Sequence, residues 1–123
     1  MMNTMSSESK KQKRLSEEVC KELYAKYETP ERVIKHCRAV GETGARIASA
    51  LNKAGYNFDV SLVRAAGLIH DLMRISDNHG EAAADLLESL GYMQEAKAVR
   101  NHMRYEFNAP ESITETDIFC LAD

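Results

Sequence analysis

The sequence has no tryptophan, and aromatic residues make up only 7% of its 123 positions. Alanine, leucine, isoleucine and valine must therefore fill most of the core, and such side chains suit helix packing. Cysteine is scarce and scattered. Cys20, Cys37 and Cys120 are odd in number and form no CxxC pair, which argues against a disulfide framework or a zinc ribbon. Three reduced thiols in or near a core are expected instead. No apolar run approaches the roughly 20 residues of a membrane span. No apolar segment follows the charged start, as it would in a secretory signal. Internal repeats and strand-like alternation are missing too. The expected location is the cytoplasm, with no membrane partner.

What is present fits one soluble domain. Hydrophobic residues make up 44% and charged residues 28%, ordinary values for a globular chain. The length suffices to bury a core without a disulfide or a structural metal. The net charge is −3, but it is unevenly placed. Lys10, Lys11, Lys13 and Arg14 face only Glu8 in residues 1–14, a local +3 that leaves −6 for the rest. An acidic body with clustered histidines suits a cation better than a nucleic acid.

Residues 1–14 are polar, rich in Ser and Lys, and read as a disordered tail. Everything from residue 15 to 123 reads as one helical domain. A first helix is expected from about Ser16 to Tyr27, capped by Ser16. A second starts at Thr29-Pro30-Glu31, with Thr29 as capping hydroxyl, and runs to about Lys53 before Gly55. Gly41 and Gly44 inside it each cost about 1 kcal/mol of helix propensity, which implies close approach by a neighbouring helix. Asp59 caps a third helix, about Val60 to Met73, nearly free of charge and so the most buried. A fourth covers about His79 to Leu90, opened by Ser76 or Asn78. A fifth covers about Gln94 to Arg104. Thr114 and Asp117 form a capping box for a sixth. That helix is only starting its third turn at Asp123, so the protein is expected to continue there or to have lost its end. The fold class is all-α, a bundle of five to six packed helices.

The chemistry-bearing residues lie in or beside apolar helical segments. His36 shares the stripe of Val33 and Val40, where a hydrogen-bonded core histidine and a ligand both fit. His70-Asp71 lies within the most apolar helix, which Leu72-Met73 continue. A carboxylate there is costly unless a cation, hydrogen bonds or Arg74 compensates. His79 stands at the mouth of the fourth helix, His102 follows Val99 on the fifth, and Asp123 follows Leu121-Ala122. Each has a bland role open to it: a surface cap, a half-buried side chain, a solvated end. Together they form an imidazole and carboxylate set that suits iron, manganese, zinc, nickel or cobalt.

The ordered set His36, His70-Asp71, His79, His102, Asp123 resembles the HD superfamily of metal-dependent phosphohydrolases. The local phrases that carry the likeness are His36-Cys37-Arg38-Ala39-Val40, Ala66-Gly67-Leu68-Ile69-His70-Asp71, His79-Gly80-Glu81-Ala82-Ala83, Asn101-His102 and Leu121-Ala122-Asp123. They span Pro30 to Asp123. The resemblance implies an HD-domain helical bundle, with His36, His70, Asp71 and Asp123 holding one divalent metal. It implies that His79 and His102 hold a second metal bridged by Asp71, or contact phosphate where only one metal binds. Members often carry HDxxK or HDxGK. Here the phrase is His70-Asp71-Leu72-Met73-Arg74, so Arg74 keeps a cation able to grip phosphate bidentately. Arg104 and Arg38 are weaker candidates for that role.

The implied activity is hydrolysis of a phosphoester or phosphoanhydride, with a bound cation activating water. Cyclic-di-GMP phosphodiesterases of the family carry Gly-Tyr-Pro, whereas this chain has Gly91-Tyr92-Met93. Alarmone hydrolases carry a Glu-Asp pair, and no such dipeptide occurs. Size and histidine pattern match best the small bacterial branch that includes dinucleoside-polyphosphate hydrolases. A nucleotide is the expected substrate. The sequence leaves a homodimer open. It also leaves open a regulatory or nucleotide-sensing domain that binds metal with little turnover.

Overall fold

The computed structural model describes residues 13–73, 79–102 and 113–123, with only the backbone given for His79. Among the described residues there are six helices and no strand. They are α1 (Glu17–Lys26), α2 (Glu31–Lys53), α3 (Val60–Ile69), α4 (His79–Ser89), α5 (Met93–His102) and α6 (Glu115–Ala122). None of them is long and apolar enough to cross a membrane.

The helix starts follow local chemistry. The Ser16 hydroxyl accepts from Val19 N, Asp59 accepts from Leu62 N, and Thr114 with Asp117 forms the complete capping box. Ser76 and Asn78, the expected openers of α4, lie outside the described residues, as does the expected stretch of α5 beyond His102. Two expectations need correction. Thr29 does not cap α2: Pro30 takes the cap position without a side-chain bond, and the Thr29 hydroxyl donates instead to Leu72 O at 3.0 Å. The helical segment expected to reach Met73 stops at Ile69, although His70 keeps helical dihedrals at the cap.

Both corrections have one cause. The C-terminal end of α3 is buried, so its orphan carbonyls need donors from elsewhere. The Tyr24 hydroxyl donates to Leu68 O, Thr29 to Leu72 O, and the His70 ring to Gly67 O. Side chains of α1 and of the link to α2 thus close the end of α3.

α3 is the central helix. It packs against α1, α2, α5 and α6. Residues Leu62, Val63 and 65–69 are buried along it. On one side Leu68, Ile69 and Leu72 meet Leu23, Leu87 and Val99; on the other Val63 and Ala66 meet Val40, Ile118 and Phe119. The three cysteines are free, Cys20 and Cys37 buried and Cys120 partly so. Residues 1–12 of the expected tail lie outside the described residues, but Lys13 and Arg14 are docked. Lys13 Nζ donates to Leu90 O at 2.7 Å, and Arg14 bonds Ser61, Asp59 and Gln94 while pairing with buried Glu95 at 3.2 Å.

The approach of α2 to α3 is governed by glycine. A Cβ on Gly67 would lie 2.6 Å from both Cα and N of Gly41, and one on Gly41 would lie 3.0 Å from Arg64 O. A Cβ on Gly44 would lie 2.7 Å from the Val63 side-chain Cγ1. Gly67→Ala is therefore expected to cost about 3 kcal/mol, at the upper end of overpacking losses, because it meets backbone that cannot rotate away. Urea unfolding measures it, and a loss below about 1 kcal/mol would show that the two helices are free to separate.

Candidate metal centre

Each helix delivers its polar side chain at a particular place. His36 lies in the second turn of α2. It does not share the buried stripe of Val33 and Val40; Cys37 does, and the His36 side chain is 44% exposed. The stripe's edge leaves the imidazole at the rim, facing the end of α3. His70 caps α3, Asp71 follows it, His102 is the last described residue of α5, and Asp123 caps α6.

These five side chains meet. Asp123 lies between the histidines: its Oδ1 is 2.9 Å from His36 Nε2 and 3.4 Å from His70 Nε2, and its Oδ2 is 2.9 Å from His102 Nε2. Asp71 Oδ2 is 3.4 Å from His70 Nε2 and 3.9 Å from His36 Nε2. The His70 ring lies 5.4 Å, centroid to centroid, from both His36 and His102. Phe119 walls the inner side, 5.2 Å from the His70 ring and 5.0 Å from that of His102.

His70 carries the most information. Its side chain is 1% exposed. Nδ1 donates to Gly67 O at 2.7 Å, which fixes the ring and, in the neutral form, leaves the lone pair on Nε2. Nε2 is buried, lies within ion-pair reach of two carboxylates, and meets neither with hydrogen-bond geometry. A buried ring nitrogen without a hydrogen bond is costly. Aimed between two carboxylates, it suits a cation there, a proton or a metal, and the carbonyl that orients the ring is the usual outer partner of a metal-binding histidine. Two triads have donor atoms within 4.8 Å of one another: His36, His70, Asp71 and His70, His102, Asp123. His70 belongs to both. The donor set is thus three imidazoles and two carboxylates, suited to a first-row divalent ion.

Electrostatics follow from the same contacts. Burial opposes a charge on His70, but Asp123, Cys37 and Asp71 outweigh it and push its pKa up to about 10. The His70 imidazole, against the opposing effect of burial and aided by His102 and His36, holds the Asp123 carboxyl down at about 2. Burial, with Asp123 and Asp117 adding to it, pushes the Cys120 thiol up to about 12; its sulfur lies 3.5 Å from His102 Nδ1.

Of the other expected site residues, His79 opens α4, but its side chain lies outside the described residues, as do Arg74 and Arg104. Arg38 is exposed, and its charge acts on Cys20 and Tyr24, beside α1. Sequence reasoning missed the Phe119 wall, the Cys120 contact and the pairing of His102 with Asp123. The spacing of Cys120 and Asp123, three apart on a helix, was the available signal for the second.

A family model described as HD domain matches residues 33–123. An uncharacterized protein of Methanocaldococcus jannaschii is 42% identical over 65 residues, half of this chain and 38% of that protein. The chain therefore spans under two fifths of that relative's length. No solved structure matches significantly.

A pH dependence follows for protein stripped of divalent cations. The raised His70 pKa contributes stability fully present below about 6.5 and lost as pH rises through about 10. The lowered Asp123 pKa contributes stability present above about 3.8 and lost as pH falls through about 2. The stability gap between the parent and Asp123→Asn is thus expected to be widest near pH 5 to 6 and to shrink toward about pH 10. Urea unfolding in chelator across that range measures it, and a gap that widens with pH contradicts the pairing.

Proposed function

The chain belongs to the HD domain family, and from that premise we propose that it is a metal-dependent phosphohydrolase acting on a phosphoester or phosphoanhydride bond, with a nucleotide as substrate. The observation that carries this reading is His70 Nε2, buried without a hydrogen bond between two carboxylates. A bound divalent cation supplies a Lewis acid and a water acidic enough to deprotonate near neutrality.

The chain's own residues take the remaining roles. His36, His70, Asp71 and Asp123 hold the ion. His102, with His79, holds a second ion or contacts the phosphoryl oxygens. Asp71, whose side chain is only 7% exposed, also orients the attacking water. Phe119 keeps bulk water off the inner side, which strengthens every charge interaction within. His36 is the most exposed of the five, so substrate enters over the first turns of α2. Arg74, three residues after Asp71 in the sequence, supplies a permanent positive charge for the phosphate.

Purified protein assayed with Mn²⁺ or Fe²⁺ on a panel of nucleotides and an aryl phosphate tests the reading. Turnover that needs the metal supports it. Tight metal binding without turnover on any substrate favours a sensing domain, and absence of metal binding defeats both. His36→Ala and Asp71→Ala are each expected to weaken metal binding by more than roughly 100-fold, beyond what loss of an outer partner produces, and to remove activity. Elemental analysis after desalting checks this; full metal content in either variant contradicts the ligand set.

A further inference from the structure

The backbone that carries His70 and Asp71 departs from a regular helix. In an unbroken α-helix the Leu72 N–H donates to Leu68 O, four residues back. Here it donates to Ile69 O, three residues back, at 3.1 Å. Leu68 O takes the Tyr24 hydroxyl instead. Immediately after the dipeptide, Leu72 O takes the Thr29 hydroxyl at 3.0 Å. Tyr24 is 5% exposed and Thr29 8%, so water is a poor substitute for either donor.

The segment that supplies both hydroxyls is shaped to present them. Tyr24 lies in the last turn of α1, which Tyr27 caps. The chain then turns at Glu28, whose φ of 53° lies in the left-handed region. Glu28 N donates to Ala25 O at 3.3 Å, and Thr29 N donates to Tyr24 O at 2.9 Å. That pair of bonds is a Schellman closure, which helices usually build on glycine. A glutamate there is strained. The closure joins Thr29 to Tyr24 through the backbone and brings the Thr29 hydroxyl to Leu72 O.

We propose that Tyr24 and Thr29 are positioning residues for the metal centre, their two hydroxyls clamping the backbone on either side of His70-Asp71. The inference rests on the metal-centre reading above. Adjacent side chains on a helix point about 100° apart. Here His70 Nε2 and Asp71 Oδ2 nevertheless come within 3.4 Å. That separation depends on the dihedrals of two consecutive residues. Leu68 O and Leu72 O bracket them, and turning the peptide at either would leave a buried carbonyl and a buried hydroxyl without partners. Neither hydroxyl touches the ion. Each acts through the main chain that holds its ligands.

The test compares three variants with the parent. Thr29→Val and Tyr24→Phe each remove one hydroxyl and keep the shape, and Thr29→Ser keeps the hydroxyl. Zn²⁺ affinity is measured by competition with a chromophoric chelator. Amide hydrogen exchange in chelator is followed at Leu72, with buried Val99 in α5 as the reference for global opening. Val at 29 and Phe at 24 are each expected to weaken Zn²⁺ binding about tenfold, the lower end for loss of an outer partner. Both are expected to speed exchange at Leu72 more than at Val99. Ser at 29 is expected to restore affinity and exchange, with thermal melting confirming that all three variants fold. A purely structural role would speed both amides together and leave the folded protein's Zn²⁺ affinity unchanged. That result overturns the proposal, as does failure of Ser to restore the parent's behaviour. If the parent binds no Zn²⁺, the metal-centre reading fails, and exchange at Leu72 still decides whether the two hydroxyls hold the turn.

Discussion

The approach of His36 to the end of α3 depends on backbone meeting backbone at Gly41 and Gly67. A methyl on either glycine would collide with the facing helix. Because neither carries one, α2 and α3 lie close enough for the His36 and His70 rings to stand 5.4 Å apart. Gly67 is three residues before His70, and Gly41 five after His36. The point of contact is therefore about a turn from the ligand side chains, and a shift there is transmitted to them almost undiminished. Glycine inside a helix costs about 1 kcal/mol relative to alanine. The chain bears that cost three times along this one seam, at Gly41, Gly44 and Gly67, and recovers it as burial along the most apolar helix.

The second constraint is the buried end of α3. Its carbonyls take donors from Tyr24, Thr29 and His70. The His70 contribution closes the helix end, and by using Nδ1 it directs Nε2 at Asp71 and Asp123. Structural satisfaction and ligand orientation are here one hydrogen bond. Charge follows the same geometry. The end of α3 lies at His70, beside His102 and Asp123. A helix C-terminus carries roughly half a negative charge, and two carboxylates add to it. Such a place disfavours anions and raises the affinity for any cation, a proton on His70 included.

Much of this was legible in the sequence. Ser16, Asp59 and the Thr114–Asp117 box announced their helices, and the uncharged stretch after Asp59 announced the central one. Glycines at 41 and 44 signalled a close neighbour, though not that the neighbour would answer with its own Gly67. The family was legible in the order and phrasing of the histidines and aspartates. Illegible were the features that depend on how helices cross. Thr29 reads as a cap because capping is local, yet its hydroxyl is drawn to a carbonyl 43 residues away. His36 reads as inward because a stripe has no marked edge in one dimension. Only the tilt of α2 against α3 decides that Cys37 is buried and His36 stands at the rim.

The pairs within the cluster also bear on how readily an ion displaces them. The bond from His36 to Asp123 lies at the exposed rim, where such pairs contribute at most about 1 kcal/mol. The bond from His102 to Asp123 is more sheltered and involves a charged acceptor, so it contributes roughly 1.5–3 kcal/mol. Giving up both costs about 4 kcal/mol at most. A well-formed zinc site gains on the order of 10–16 kcal/mol at neutral pH, so these pairs cannot hold the cluster closed against a metal. They can keep it ordered without one: Asp123 ties α2 and α5 to the end of α6 through its two oxygens. His70 Nε2 needs no partner removed, only the proton that its neighbours favour. A cation held by His70 would have to compete with that proton, and Asp123 would be free to turn from the histidines to the ion.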